Sequence, residues 1–278
     1  MKLFFYLLLI NVLAITPSYA QSLDFGLMAG ASNYSGDLTE SVVNVMKQSK
    51  FCTGAQVRYD FSNMISLKCQ YLFLNVAADD QLAKAQWQKE RNLNFKSQIH
   101  ELGILGQLNL MGFFSEIPKR HNYYLTMGAI FFKFNPKGKY LNEWLELQPI
   151  GTEGQGLPGY NAPYKLNSAA LAFGFGYRFF ISSNISLSAE YLTRQTRTDY
   201  LDDASTNYVA YDELLAKKGL IAAELGNKVR FAGGLKRAEF NNKDWYNSLS
   251  LCLSYHFGAD ISFKKIRFKK QGINCPKF

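Results

Sequence analysis

The chain has 278 residues and a formal net charge of +9, with 47% hydrophobic and 15% aromatic residues against 19% charged. That length holds one large domain or two ordinary ones, and so apolar and aromatic a composition excludes a disordered chain. Past the first two dozen residues no run reaches the roughly 18 apolar residues that a membrane-spanning helix requires, which excludes a helical membrane protein.

Residues 1–20 have the order of a secretory signal: Lys2, an apolar run from Leu3 to Ile10 continuing through Val12-Leu13-Ala14-Ile15, then Pro17 and Ser18-Tyr19-Ala20. Cleavage is expected after Ala20, with no Cys following it to carry a lipid anchor. The division that results is a signal at 1–20, a folded unit at 21–257 and a tail at 258–278.

From Leu23 onward the chain reads in period two. After the stretch from Leu23 to Ala31, Ala55, Val57, Tyr59 and Phe61 alternate with Gly54, Gln56, Arg58 and Asp60. A tight turn at Ser62-Asn63 leads into Ile65, Leu67, Cys69, Tyr71 and Phe73 against Ser66, Lys68 and Gln70. Leu102, Ile104, Gly106, Leu108 and Leu110 repeat the pattern, and Tyr123 to Phe134 carries it more weakly. Leu171 to Phe179, Ile185 to Tyr191 and Trp245 to Phe257 complete eight amphipathic strands.

Eight such strands fit a soluble barrel with its apolar residues inside or a membrane barrel with them outside. The less apolar face carries Gly, Ser, Gln and few charges (Arg58, Lys68, Glu101, Arg178, Glu190), the filling of a narrow lumen rather than a solvated surface. The short links lie near Ser62, Pro118 and Ser183, and the long ones at 32–51, 77–94, 135–163 and 201–243. This alternation is that of short periplasmic turns and long extracellular loops. The expected fold is all-β: an eight-stranded antiparallel outer-membrane β-barrel with both termini periplasmic and a lumen filled by side chains.

The tail concentrates positive charge in Lys264, Lys265, Arg267, Lys269, Lys270 and Lys277, with Ile261, Phe263, Ile266 and Phe268 spaced among them. It reads as a periplasmic docking segment for an acidic partner surface, or as a solvated tail resting on lipid headgroups. Charge gathered in the tail and loops of an exported barrel does not point to nucleic acid.

Nothing in the sequence announces an enzyme or a cofactor. GxGxxG opening a helix, GxxxxGK[ST], HExxH and GxSxG are all missing, and His100, His121 and His256 are scattered. His100 and Glu101 are adjacent on a strand and face opposite ways, and neither His121 nor His256 has an evident base or nucleophile nearby. Cys52 and Cys69 also face apart, so they cannot pair; Cys252 with Cys275 and free thiols both stay open. Asp199, Asp202 and Asp203 offer oxygen ligands for calcium, although the loop lacks the Gly and spacing of a calcium loop and reads more simply as polar.

The loops carry longer motifs. Gly30-Ala31-Ser32-Asn33-Tyr34-Ser35-Gly36-Asp37-Leu38, Phe134-Asn135-Pro136-Lys137, the run from Trp144 through Glu146, Thr152 and Glu153 to Gly156, Thr198-Asp199-Tyr200-Leu201-Asp202-Asp203 and Lys243-Asp244-Trp245-Tyr246 follow in that order. Together with the closing Cys275-Pro276-Lys277-Phe278, they resemble the PorG-like outer-membrane proteins of the type IX secretion system. Arg237-Ala238 departs from the Arg-Gly of that pattern. The resemblance implies a non-enzymatic barrel without cofactor that associates with PorK-like lipoprotein and PorN-like subunits of a periplasmic ring and serves protein export. The alternative is a free-standing adhesin or stress barrel. Tail residues Lys264, Lys265, Arg267, Phe268, Lys269 and Lys270 are the expected partner contacts. The loop motifs, with Gly36, Gly151, Gly154 and Gly156 at turns and Trp144, Asp199 and Trp245 fastening loops together, are expected to hold an extracellular cap.

Overall fold

Alternating residues from Leu23 to Phe257 wrap into one closed wall. The computed structural model describes residues 22–36, 38, 47–83, 85–114, 120–238 and 243–257. The proposed signal, Asp37, Pro118 and the whole basic tail, with Lys264, Lys265, Arg267, Phe268, Lys269, Lys270 and Cys275, lie outside the described residues.

The strands are β1 (Ser22–Ser35), β2 (Lys50–Asp60), β3 (Ile65–Asp79), β4 (Asn94–Asn109), β5 (His121–Tyr140), β6 (Glu143–Glu146), β7 (Asn167–Phe180), β8 (Ile185–Thr196) and β9 (Trp245–Phe257). All pairings are antiparallel, in the order β4-β3-β2-β1-β9-β8-β7-β5, and a β4–β5 ladder closes the ring. Eight strands form the barrel, and β6 is an extra strand folded back on the upper end of β5.

The two described short turns are built alike. The Ser62 hydroxyl accepts from the Met64 and Ile65 amides, and the Ser182 hydroxyl from those of Asn184 and Ile185, so each serine replaces backbone partners at a reversal.

Period two places the apolar set outside. Leu27, Met127, Phe175 and Leu251 are 63%, 67%, 61% and 57% exposed on the outer wall, an arrangement stable only where the surrounding solvent is itself apolar. On β5 the outward residues Tyr123, Leu125, Met127, Ala129 and Phe131 make an apolar run of the length a tilted strand needs to cross a bilayer, roughly 9–11 residues. Above Phe131 the same face turns to Lys133, Asn135, Lys137 and Lys139. Aromatic pairs ring the short-turn end, among them Tyr59–Phe61, Tyr123–Tyr177 and Tyr255–Phe257. No described helix is long and apolar enough to cross a membrane.

Two expectations change. The weak strand at 123–134 is the longest of all, because Asn135-Pro136-Lys137 continues it. Pairing with β7 stops at Lys133 and pairing with β6 starts at Lys137, so Pro136 falls where a missing N–H breaks no ladder. The upper lumen is not lined by small polar residues. Leu72, Leu74, Val76, Ile99, Ile130, Phe132 and Phe134 all point inward there and form an apolar core with Tyr34 and Tyr246.

The loop from 201 to 243 contains α1 (Tyr211–Lys218) and α2 (Leu220–Asn227), where no regular element was expected. They pack against each other: Leu214 and Ala223 are fully buried in a cluster with Val209 and Tyr211.

Candidate functional site

Two polar assemblies organise the molecule: an ion-pair network through the lumen and a hydrogen-bonded cap over the mouth.

In the lumen, Lys68 Nζ is 2.5 Å from Glu190 Oε1, while Glu190 Oε2 accepts from Gln107 and Thr126, each at 3.1 Å. Arg194 meets Glu101 with two nitrogens, at 2.7 and 3.2 Å, and Gln70 and Tyr246 also donate to Glu101 at 2.9 Å. Arg178 donates to Gln107 and lies over the Tyr124 ring, where Gly176 leaves the space that a Cβ would take from that ring. Arg58 pairs with Asp24 and Asp60. Arg58, Lys68 and Arg194 are thus each paired with a carboxylate, as buried charge in a narrow barrel requires, and Arg178 rests on the Gln107 amide oxygen and the Tyr124 ring.

His256 corrects the sequence reading. Its Nε2 is 2.8 Å from Ser186 Oγ, and its Nδ1 is 3.8 Å from Asp24 Oδ2, a grouping visible only once β1, β8 and β9 are in register. The order Ser, His, Asp is that of a nucleophilic triad, but Asp24 is engaged by Arg58 and the His256 and Asp24 side chains are fully buried. Asp24, Asp60 and His256 are also the one group of potential metal ligands among the described residues, and Arg58 already supplies a cation to both carboxylates. His100 and Glu101 face apart: His100 meets Tyr71 at 2.8 Å on the outer wall. His121 meets Tyr177 at 2.5 Å, also outside. Cys52, Cys69 and Cys252 are free thiols, with Cys69 exposed and Cys52 buried.

The loop motifs converge on the mouth. The Tyr34 hydroxyl lies 2.7 Å from both Asp202 and Asp244, and Asp244 also accepts from the Leu201 amide at 2.9 Å. Burial, with the Asp202 charge beside it, holds the Asp244 carboxyl well above the usual carboxylate range. Gly36 sits against this group; a Cβ there would strike the Tyr34 ring and Asp244. Gly36 therefore serves a close approach, while Gly151, Gly154 and Gly156 adopt positive φ, at 66°, 76° and 84°.

The second cap cluster joins Thr152, Glu153, Asp203 and Arg237. Asp203 accepts from Thr152 at 2.5 Å and from Tyr164 at 2.6 Å, and its carboxyl is pushed up to about 6 by burial, against the opposing pull of Arg237. Glu153 accepts from the Ser205 and Thr206 amides and pairs with Arg237 at 2.9 Å. Arg237 also donates to the Asp203 carbonyl at 2.7 Å. Asp80 holds Arg91 through two bonds of 2.8 and 2.9 Å, and Arg91 in turn donates to the Arg237 carbonyl. The sequence marked Arg237 only through the Arg237-Ala238 departure, and nothing in it marked Arg91, Asp80 or Tyr164; Arg237 and Tyr164 meet partners on other loops.

The remaining motif residues are spread around the rim. Asp199 accepts from Ser205, so the three loop aspartates point to separate donors and form no calcium-like set among the described residues. Asn135 donates to Glu146 at 2.8 Å, Pro136 registers with Ser97, and Trp144 stacks beneath the Lys96 ammonium. Trp245 packs edge-on to Phe173, and Lys243 borders the groove that holds Asp199.

The chain belongs to the family described as Domain of unknown function (DUF6089), whose model matches residues 1–218. No curated protein matches its sequence. Among solved structures it is similar to Ail, the attachment invasion locus protein of Yersinia pestis crystallised with the heparin analogue sucrose octasulfate. Identity is 10% over 86% of this chain and 99% of that one, with a TM-score of 0.42. It is also similar to Neisserial surface protein A, at 10% identity over 84% of this chain and 97% of that one, TM-score 0.42. The outer-membrane protease OmpT of Escherichia coli is similar at 7% identity over 87% and 99%, TM-score 0.39.

Proposed function

We propose that this chain is a non-enzymatic outer-membrane barrel of the type IX protein secretion machinery. Its short turns and both termini face the periplasm, and there it associates with PorK-like lipoprotein and PorN-like ring subunits. The observation that carries the reading is the filled barrel: ion pairs run through the lumen, an apolar core fills its upper part around Arg194 and Glu101, and a bonded cap covers the mouth. A barrel so filled offers surfaces for assembly in place of a passage. The ordered loop motifs supply the secretion role, and the short turns with the basic tail are the parts within reach of a periplasmic ring.

The test is recovery of the tagged full chain from outer membranes in gentle detergent, with the co-purifying proteins identified by mass spectrometry. Ring subunits are the expected companions. Recovery of the folded barrel alone overturns the secretion role and leaves a free-standing adhesin or stress barrel.

A further inference from the structure

On the outer wall, directly above the apolar belt at the long-loop end, lies a groove of about 420 Å³ bordered by Lys50, Lys96, Lys137 and Trp144. We infer that this groove binds the phosphorylated headgroup of an outer-leaflet glycolipid. The inference rests on the outward orientation of the long loops proposed above.

Position is the first argument. The outward face of β5 passes from Phe131 to Lys133 in one step of the pleat, and that of β4 passes from Leu102 and His100 to Gln98 and Lys96. Phe51 and Phe131, 62% and 60% exposed, lie at the upper edge of the belt, so acyl chains packed on them bring their headgroup to the lysines.

Charge is the second. Lys96 and Lys137 are register partners on adjacent strands, and like charges directly opposite one another repel. Among the described residues the carboxylate paired with this set is Glu146, 3.4 Å from Lys137. Lys96 meets the Trp144 ring at 4.2 Å instead of an anion. Three ammonium groups against one carboxylate leave a surplus that a phosphate monoester matches, because lysine binds phosphate as a mobile point charge. The strand β6 borders one side of the groove with Trp144, which makes it a recess rather than an open patch.

The test is native mass spectrometry of the full chain folded in detergent, with diphosphorylated lipid A, dephosphorylated lipid A and inorganic phosphate compared. Lipid A adducts are expected with the phosphorylated form, at least tenfold weaker for Lys96→Gln/Lys137→Gln, and retained for Lys96→Arg/Lys137→Arg. The glutamine pair removes a repulsion, so its heat-dependent gel mobility should stay that of a folded barrel. Equal binding of dephosphorylated lipid, or binding unchanged in the glutamine variant, overturns the inference; so does displacement of lipid A by equimolar inorganic phosphate, which would make this a free-anion site. If the glutamine pair does not fold, loss of adducts on acetylation of the folded wild-type chain decides in its place, and their persistence overturns the inference. The assay contains no ring subunit, so its outcome is independent of the pull-down, and surface labelling of a tag placed near Gly159 in whole cells reports orientation separately.

Discussion

Tyr34 and Asp244, 210 positions apart in sequence, meet at 2.7 Å above the seam between the first and last strands. A hydroxyl has one proton to donate, yet Asp202 stands equally close on its other side. Burial and the neighbouring Asp202 charge hold the Asp244 carboxyl above the usual carboxylate range, so the trio favours taking up a proton.

Replacing Tyr34 by Phe leaves two buried carboxyls facing a ring. The expected loss is about 2–3 kcal/mol of cap stability, within the range for a stranded buried polar group. Limited proteolysis should cut the 199–205 segment faster in Y34F while the heat-dependent gel mobility of the barrel is unchanged; an unchanged cleavage rate would refute the bridging role.

Asp203 gives the cap a pH dependence. Its folded value, about 6, exceeds the unfolded value near 3.9, so the folded cap binds the proton more tightly. Its contribution is therefore complete below pH ~4 and lost as pH rises through about 6, about 3 kcal/mol in all. Hydrogen exchange at Thr152 and Tyr164, corrected for intrinsic rates, should show greater protection at pH 4.5 than at pH 7.5. Asp203→Asn should flatten that difference.

Arg237→Ala strips the cation from Glu153 and the donor from the Asp203 carbonyl, leaving buried carboxylates unpaired. Breaking one partner of a buried pair costs about 3–5 kcal/mol, and Arg237→Lys should recover only part, because an ammonium lacks the planar fork. Both changes should loosen α1 and α2 in hydrogen exchange and spare the strands.

In the lumen, Lys68→Met alone leaves Glu190 with Gln107 and Thr126 but no cation, and a loss of about 3–5 kcal/mol is expected. The double change Lys68→Met/Glu190→Leu should cost clearly less than the single one. Midpoints of the folded gel form on heating provide the check, and simple additivity of the two single changes would contradict the pairing.

Ending the chain at Phe257 removes Lys264, Lys265, Arg267, Phe268, Lys269 and Lys270. The barrel wall should assemble as before and ring recovery in the pull-down should fall at least tenfold. Undiminished recovery would move the contact to the short turns.

The barrel was legible because its signal is local: Val57 and Tyr59, or Leu249 and Leu251, declare their face within two residues. Cys52 and Cys69, and likewise His100 and Glu101, separate as strand parity requires. Inward Leu72, Leu74 and Val76 were obscured, since above the belt both faces of β3 carry apolar residues and alternation loses contrast. Arg237 and the Ser186–His256 contact were invisible for another reason. Their partners lie 84 and 70 positions away, and packing of the long loops joins the first pair as strand register joins the second.

The β1–β9 seam runs unbroken from Leu23 opposite Phe257 to Ser35 opposite Trp245. The first strand must therefore wait, unpaired on that edge, until nearly the whole chain has been made, and contacts of such sequence separation form slowly. Because Tyr34 and Asp244 flank the upper end of that seam, their bond forms only after the edges have met. The lid thus acts as a molecular receipt for wall closure: a chain whose cap resists protease has already joined its two ends.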